Sequence, residues 1–438
     1  MTPDERKKPP LRATISWILY DFANTAYSMN VVSLYFVTWV IIELGQRDAV
    51  VAIANSFSMI LVALTLPVLG DYSDCKGKKM TSLALFTALC IAGTALLGKI
   101  GGLGFSSFYV PVIVLIYILT NYGYQGALVF YNALMPSIST TKTIGRISGY
   151  GVALGYLGAI VGLIIARIFV DGEFFGISVA GITAGGPTAS FIPTAIIFFV
   201  FAIPVFVFVG EPKIGAAKSD WRIKKSYAKV LNTIKDTQKY PGLLRFLIAK
   251  LLYEDSIHTI IIFMGVYTQE VVGFSLAEAN QFFIIVIPSA VVGSAFCGVL
   301  VDHYGPHKTL LGVILLWILG LVMVTLISNR LIFWGLGCLI GALLGSTWTS
   351  ARPLLVTLVP PHMLGEFFGL YSLSGKVAAV IGPLVWSTVT LAFSRFGTVV
   401  KYKAAILCLA IIMVAGFFIL RRVPDYHAKQ KAATDQLQ

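Results

Sequence analysis

Charge is scarce in this chain. Of its 438 residues only 12% are Asp, Glu, Lys or Arg, whereas 57% are hydrophobic. That balance lies far from a soluble globular domain. Cysteine is scarce too: there are five (Cys75, Cys90, Cys297, Cys338, Cys408), with no Cys-x-x-Cys pair, so neither a disulfide framework nor a thiolate zinc site is indicated. The five histidines (His258, His303, His307, His362, His427) stand apart without metal-ligand spacing. No glycine-rich nucleotide loop is present. The chain is expected to need no metal or cofactor, to hydrolyse no ATP and to catalyse no covalent chemistry; a membrane-embedded enzyme, needing a nucleophile or metal dyad, is the weakest reading.

What the chain has instead is long apolar runs. Twelve are long enough to cross about 30 Å of hydrocarbon as helices: 15–42, 50–69, 80–97, 108–135, 147–170, 191–209, 243–267, 281–301, 310–327, 331–359, 367–393 and 404–420. Their backbones must satisfy themselves, which selects helix. The fold class is therefore an all-α integral membrane protein with twelve transmembrane helices. The expected division is a tail 1–14, a six-helix half 15–210, a basic linker 211–242, a second half 243–421 and a tail 422–438. The first apolar run is too long for a cleavable leader and is expected to remain as a span.

The net charge of +13 is placed unevenly. With the N-terminus inside, the even-numbered loops and both tails hold 23 Lys and Arg, against seven in the odd-numbered loops. This positive-inside bias predicts cytoplasmic termini and argues against a nucleic-acid partner. The linker holds Lys213, Lys218, Arg222, Lys224, Lys225, Lys229, Lys235 and Lys239. Its middle, 221–234, fits a basic amphipathic helix lying on the inner membrane surface, although a solvated connector carrying orienting charge is the simpler reading. The glycine-rich stretch 171–190 is expected outside and offers no chemistry.

Two segments repeat one another. Gly70-Asp-Tyr-Ser-Asp74-Cys-Lys-Gly77-Lys78-Lys79 is echoed by Gly298-Val-Leu-Val-Asp302-His-Tyr-Gly305-Pro-His307-Lys308, and each reads as a tight turn between spans. The glycines of Gly145-Arg146-Ile-Ser-Gly149 and Gly155 recur 220 positions later in Gly365-Glu366-Phe-Phe-Gly369 and Gly375. Leu19-Tyr20-Asp21 is likewise echoed by Leu252-Tyr253-Glu254. Such duplication, with both termini on one side, fits parallel repeats about an axis along the membrane normal.

Six ionisable residues fall inside the spans: Asp21, Glu254 and Asp255 against Lys250, Arg352 and Lys376. Each costs at least ~2.5 kcal/mol at mid-bilayer unless paired or facing water. Lys376 lies ten residues beyond Glu366, about 15 Å into the bilayer and too deep to snorkel easily. Asp21, Asn24, Thr25 and Ser28 share one helix face, as do Lys250, Glu254 and His258. Asn121, Gln125 and Asn132 add polarity to the fourth span, with Tyr117, Tyr124 and Tyr131 at heptad spacing. These stripes read either as the lining of one aqueous path or as hydrogen bonds that pack helices. On the first reading Asp21, Asn24, Asn121, Gln125, Arg352 and Lys376 bind solute. Asp21, Glu254, Asp255 and His258 are then the candidate proton carriers, with Glu254 and Asp255 alternatively permanent partners of a cation and His258 a packing donor. Asp74 and Asp302 read as gating or capping residues, together with Arg146 and Glu366.

The two turns resemble the loop motif of the major facilitator superfamily, with Cys75, Pro306 and His307 departing from its usual Asp-Arg-x-Gly-Arg-Arg form. The chain more specifically resembles the "unknown major facilitator" group, which includes the fungal vacuolar amino-acid effluxer of autophagy. The residues that carry this are Trp17-Ile-Leu-Tyr20-Asp21-Phe22-Ala23-Asn24, Tyr131-Asn132-Ala133-Leu134-Met-Pro136, Gly145-Arg146-Ile-Ser-Gly149-Tyr150, Ser350-Ala-Arg352-Pro353-Leu354 and the run from Glu366 to Lys376. The resemblance implies the twelve-helix facilitator fold and solute export, with amino acids the best-supported cargo. The expectation is a monomeric secondary transporter of an inner (plasma) membrane, working by alternating access in proton-linked export of amino acids or related small metabolites. The alternative is the same fold moving a lipid, a drug or a metal chelate.

Overall fold

The computed structural model describes residues 10–103, 109–138, 144–174, 177–179, 181–211, 223–327, 329–359 and 364–425. The first six spans are α1 (Leu11–Glu43), α2 (Asp48–Lys76), α3 (Lys79–Gly102), α4 (Val110–Ala133), α5 (Ile144–Asp171) and α6 (Phe191–Phe208). A connector helix, α7 (Ile223–Asp236), precedes α8 (Leu243–Glu270), α9 (Leu276–Tyr304), α10 (Pro306–Leu326), α11 (Arg330–Leu358), α12 (Leu364–Ala392) and α13 (Thr398–Arg421). Each expected span coincides with a helix, although several helices run past the apolar core of their span. Eleven of the twelve are long and apolar enough to cross a membrane by length and composition. The remaining one, α8, carries Arg245, Lys250, Glu254 and Asp255 among its residues. The protein is a multi-pass membrane protein of twelve helices in two halves.

The stretch 171–190, read from the sequence as a loop, contains a two-stranded antiparallel hairpin. β1 (Glu173–Phe174) pairs with β2 (Ile177–Ser178) in the register Glu173↔Ser178. In α1 the helix widens to π-helical turns over Ser28–Tyr35 and Trp39–Glu43.

The chain divides into one compact unit of Met1–Ser226 with Ile262–Val266 and Ser275–Asn280, and another of Tyr227–Ile261 with Tyr267–Phe274 and Gln281–Gln438. In the first unit α3 packs on α4 and α6, α1 on α5 and α6, and α2 on α4. In the second, α10 packs on α11 and α13, and α12 on α13. The pairs α3–α4 and α3–α6 thus have counterparts in α10–α11 and α10–α13. The sequence duplication is a duplication of packing.

The repeated turns are shorter than the sequence suggested. Gly70 and Gly298 lie inside α2 and α9, and only the later glycine of each motif breaks the helix. Gly77 (φ 63°) adopts the left-handed conformation after α2, with Lys78 N–H donating to Ser73 O. Gly305 (φ 84°) separates α9 from α10. Glycine alone costs a helix only about 1 kcal/mol, whereas a left-handed residue requires it. Asp302 is exposed in the last turn of α9, so it does not cap α10, whose N-cap is Gly305. Asp74 sits in the last turn of α2.

Helix starts follow local chemistry where the chain supplies it. Ser275-Leu-Ala-Glu278 forms a capping box before α9: Ser275 N–H donates to Glu278 Oε2 (2.7 Å) and Glu278 N–H to Ser275 Oγ (3.1 Å). Asn329 Oδ1 accepts from Leu331 N and Ile332 N at the start of α11.

Small residues set the close approaches. A Cβ at Gly158 of α5 would collide with the Phe22 backbone of α1, whereas one at Gly298 would meet nothing. Gly158→Ala is therefore expected to destabilise the protein by about 1–3 kcal/mol, while Gly298→Ala is neutral or slightly stabilising through helix propensity. Thermal unfolding of both variants in detergent checks the contrast.

Candidate functional site

The stripe of tyrosines on α4 serves packing against α1. Tyr131 stacks on Trp17 with ring centroids 4.4 Å apart and on Tyr20 at 5.1 Å. Tyr124 meets Tyr27 at 4.8 Å, and Tyr117 stacks on Phe36 at 3.7 Å. Tyr117 also donates its hydroxyl hydrogen to Asn55 Oδ1 (3.0 Å), and Asn121 Nδ2 donates to Ser58 Oγ (2.7 Å). Asn121 therefore takes part in a polar zipper between α2 and α4, the helix-packing alternative that the sequence left open. Asn132 is exposed, and Gln125 is half-buried.

The polar face of α1 is arranged differently. Asp21 is half-buried against α5, where a Cβ at Gly155 would lie 3.3 Å from Asp21 Oδ2 and 2.7 Å from Thr25 Oγ1. Thr25 Oγ1 donates to the Asp21 carbonyl (2.9 Å). One turn away, Asn24 is 1% exposed, and neither its amide oxygen nor its nitrogen has a hydrogen-bond partner among the described residues. The Tyr131 hydroxyl, also buried, is likewise unpartnered. Buried polar groups left unpaired cost about 1–3 kcal/mol each, so this cluster is the clearest departure from packing logic in the first half.

Five of the six charged residues within spans belong to the second unit. Lys250 is 2% exposed and Glu254 4% exposed, one turn apart on α8, and they form an ion pair. The Lys250 ammonium also donates to Tyr371 O (3.0 Å) and Ser374 Oγ (3.4 Å), and lies 4.0 Å from the Tyr371 ring centroid. Its three N–H directions are thus taken up by Glu254 and α12. A Cβ at Gly375 would stand 2.8 Å from Glu254 Oε2 and 3.1 Å from Lys250 Nζ, so glycine makes room for the pair.

Asp255, 1% exposed, does not join this pair. Its Oδ1 accepts from the Gly382 N–H (2.5 Å), one residue before Pro383 inside α12. His258 and Lys376 are half-buried and within electrostatic reach of Glu254 and Lys250. Arg352 is exposed on α11, yet its charge reaches Lys250 and Tyr371. Arg146 and Glu366 lie in the first turns of α5 and α12.

A correspondence emerges that side-chain reading alone missed. Gly155 and Gly375, related by the 220-residue offset, each back a carboxylate on the paired helix: Asp21 in the first half, Glu254 in the second. At the position one turn before the carboxylate, the first half has Trp17 and the second has Lys250. The glycine register was visible in the sequence; Tyr371, Ser374 and Gly382 were not, because Tyr371 O and Gly382 N act through the backbone and Ser374 is an ordinary hydroxyl on an apolar helix. The Gly382-Pro383 pair inside an apolar run was the available signal.

Comparison with known proteins now decides the family. A family profile described as "Vacuole effluxer Atg22 like" matches residues 36–433. The chain belongs to this family. It is 28% identical over 424 residues to the uncharacterized MFS-type transporter YxiO of Bacillus subtilis (strain 168), covering 94% of each chain. It is 22% identical over 282 residues to autophagy-related protein 22 of Coccidioides immitis (strain RS), covering 58% of this chain but 45% of the fungal one. Among solved structures, the nucleoside transporter NupG superposes with a TM-score of 0.68 at 14% identity, covering 94% of this chain and 98% of that one. A bacterial homolog of the human lysosomal transporter Spinster gives 0.66 at 13%, covering 94% and 96%. These likenesses establish the major facilitator fold. The homologues and structural neighbours are transporters, not enzymes.

Truncating one partner of a buried ion pair leaves the other charge uncompensated, so Lys250→Ala is expected to cost about 3–5 kcal/mol. Replacing both residues by Met is expected to recover most of that loss. A double-mutant cycle in thermal stability measures the coupling.

Proposed function

We propose that this Atg22-like transporter is a proton-linked exporter of amino acids or closely related small metabolites, working by alternating access. The observation that carries the reading is the α1 face of Asp21 and Asn24, where a carboxylate, a free amide donor and a free amide acceptor fall within one turn. Such a set suits the ammonium end of an amino acid, with Asp21 supplying charge and Asn24 direction. In the second unit, Arg352 and Lys376 are assigned to recognition of an anionic group such as a carboxylate, Arg352 through its bidentate fork. Gln125 adds a polar contact, and Asn121 supports α2 and α4.

The coupling proton is assigned to Asp255 ahead of Glu254. Glu254 is neutralised by Lys250, whereas the Asp255 carboxylate has a backbone N–H and no cationic partner among the described residues. A carboxylate buried without a cation is retained in a membrane for use. His258 lies within electrostatic reach of Glu254 and is assigned as a candidate relay. Asp21 remains a second proton carrier, and the helix-end residues Asp74, Arg146, Asp302 and Glu366 are assigned to gating. The positive-inside distribution supports cytoplasmic termini in a plasma membrane, and a monomer supplies every residue named.

A second reading keeps the fold and changes the cargo to a drug, a lipid or a metal chelate. It is favoured by a relative of Proteus mirabilis (strain HI4320) named multidrug resistance protein MdtG, 25% identical over 378 residues. Counterflow in proteoliposomes over a panel of labelled amino acids separates the two. The first reading expects exchange of at least one amino acid and a roughly tenfold higher KM in Asn24→Ala, equivalent to about 1.4 kcal/mol. Exchange of no amino acid, with dye efflux retained, selects the second. Asp255→Asn is expected to abolish uptake driven by a pH gradient while leaving counterflow intact. If both Asp255→Asn and Glu254→Gln keep gradient-driven uptake, the α8 carboxylates do not couple protons.

A further inference from the structure

The connector helix α7 is built inside out. Among its described side chains the buried ones are Ser226 and Thr233, joined just beyond its end by Thr237. Its large apolar residues, Ile223, Tyr227, Leu231 and Ile234, are 40–58% exposed. At 100° per residue these four fall within one narrow stripe. Positions 225, 229, 232 and 236 (Lys, Lys, Asn and Asp) lie on the far side of the helix, and positions 224 and 235, both Lys, border the stripe. A helix facing only water and its own protein turns its apolar stripe inward. This one has three faces: hydroxyls toward the protein, hydrocarbon exposed, and charge opposite.

The level at which the helix sits is also fixed. Beyond its C-terminal end, Tyr240 packs edge-on against Phe367, with ring centroids 5.4 Å apart. Phe367 lies in the first turn of the spanning helix α12. Gly242 (φ 88°), where a Cβ would collide with Pro424, then leads directly into α8. The connector is thereby held where spans begin, which is the depth of lipid headgroups. The segment from 211 to 242 contains eight Lys or Arg against Glu211, Asp220 and Asp236.

We infer that α7 is an interfacial helix that docks on the anionic lipid surface of the bilayer the protein spans. Ile223, Tyr227, Leu231 and Ile234 enter the boundary between headgroups and acyl chains, while the two lysines that border the stripe, at 224 and 235, meet lipid phosphates. Apolar burial and attraction of basic side chains to anionic headgroups act together in such helices. The simple solvated connector suggested by composition alone leaves four large apolar side chains in water. The inference does not depend on which solute is carried or on which side of the membrane the connector lies.

Spin-label accessibility in the full chain, with native cysteines replaced, tests it. Labels at 231, 234, 228 and 232 are compared in nanodiscs of phosphatidylcholine alone and with added phosphatidylglycerol. Labels at 231 and 234 are expected to be several-fold more accessible to oxygen than to a water-soluble nickel complex when phosphatidylglycerol is present. Those at 228 and 232 are expected to show the reverse, and the contrast should shrink in phosphatidylcholine or high salt. Nickel access at all four sites, or no access of either reagent at 231 and 234, overturns lipid docking in favour of a solvated or a protein-covered helix. In the unmodified protein, amide exchange over 223–236 is expected to slow several-fold on adding phosphatidylglycerol. Identical exchange in both lipids overturns the role of anionic headgroups.

Discussion

A charge in hydrocarbon must bring its own partner, and in this protein the Lys250–Glu254 pair meets that demand most completely. The pair is set one turn apart on α8, roofed by the Tyr371 ring and tied to α12 through Tyr371 O and Ser374. Because Lys250 spends its donors there, α8 and α12 are bound by charge as well as by shape. Gly375 is the steric condition for that arrangement. Once Lys250 is committed, the neighbouring Asp255 carboxylate has, among the described residues, the Gly382 N–H. The separation of a structural carboxylate from an available one follows from which of two adjacent residues the lysine can reach.

The two halves use one scaffold differently. Both place a carboxylate of their first helix against a glycine of their fifth, and both repeat the packing of the third helix on the fourth and sixth. Only the second half supplies a lysine one turn earlier; the first half has Trp17 there, stacked on Tyr131. Duplication thus preserved the geometry of this helix contact while the electrostatics diverged. The Asn24 amide, without a hydrogen-bond partner among the described residues, belongs to the half without that internal pair.

Much of this was legible in the sequence because hydrophobic length and repeat register are one-dimensional signals. The twelve helices and the duplication followed from them. Partnerships were harder to read. Asn121 and the tyrosines of α4 fitted either a lining or a packing face, and the polar zipper and aromatic stack they form were not legible, since helical spacing fixes a face but not what it meets. Gly70 and Gly298 were read as parts of tight turns because each opens a Gly-x-x-x-Asp-x-x-Gly motif, yet only Gly77 and Gly305 need a left-handed backbone. The inverted exposure of α7 was invisible for the same reason: amphipathicity is periodic, but its direction relative to the rest of the protein is not.

The glycine–carboxylate contacts also constrain how the family can vary. A side chain cannot grow at position 155 while Asp21 and Thr25 keep their places, nor at 375 while Lys250 and Glu254 keep theirs. A side chain added at either position must be absorbed by the polar side chains that face it, so the charge carried on α1 or α8 and the size of the residue opposite are coupled choices.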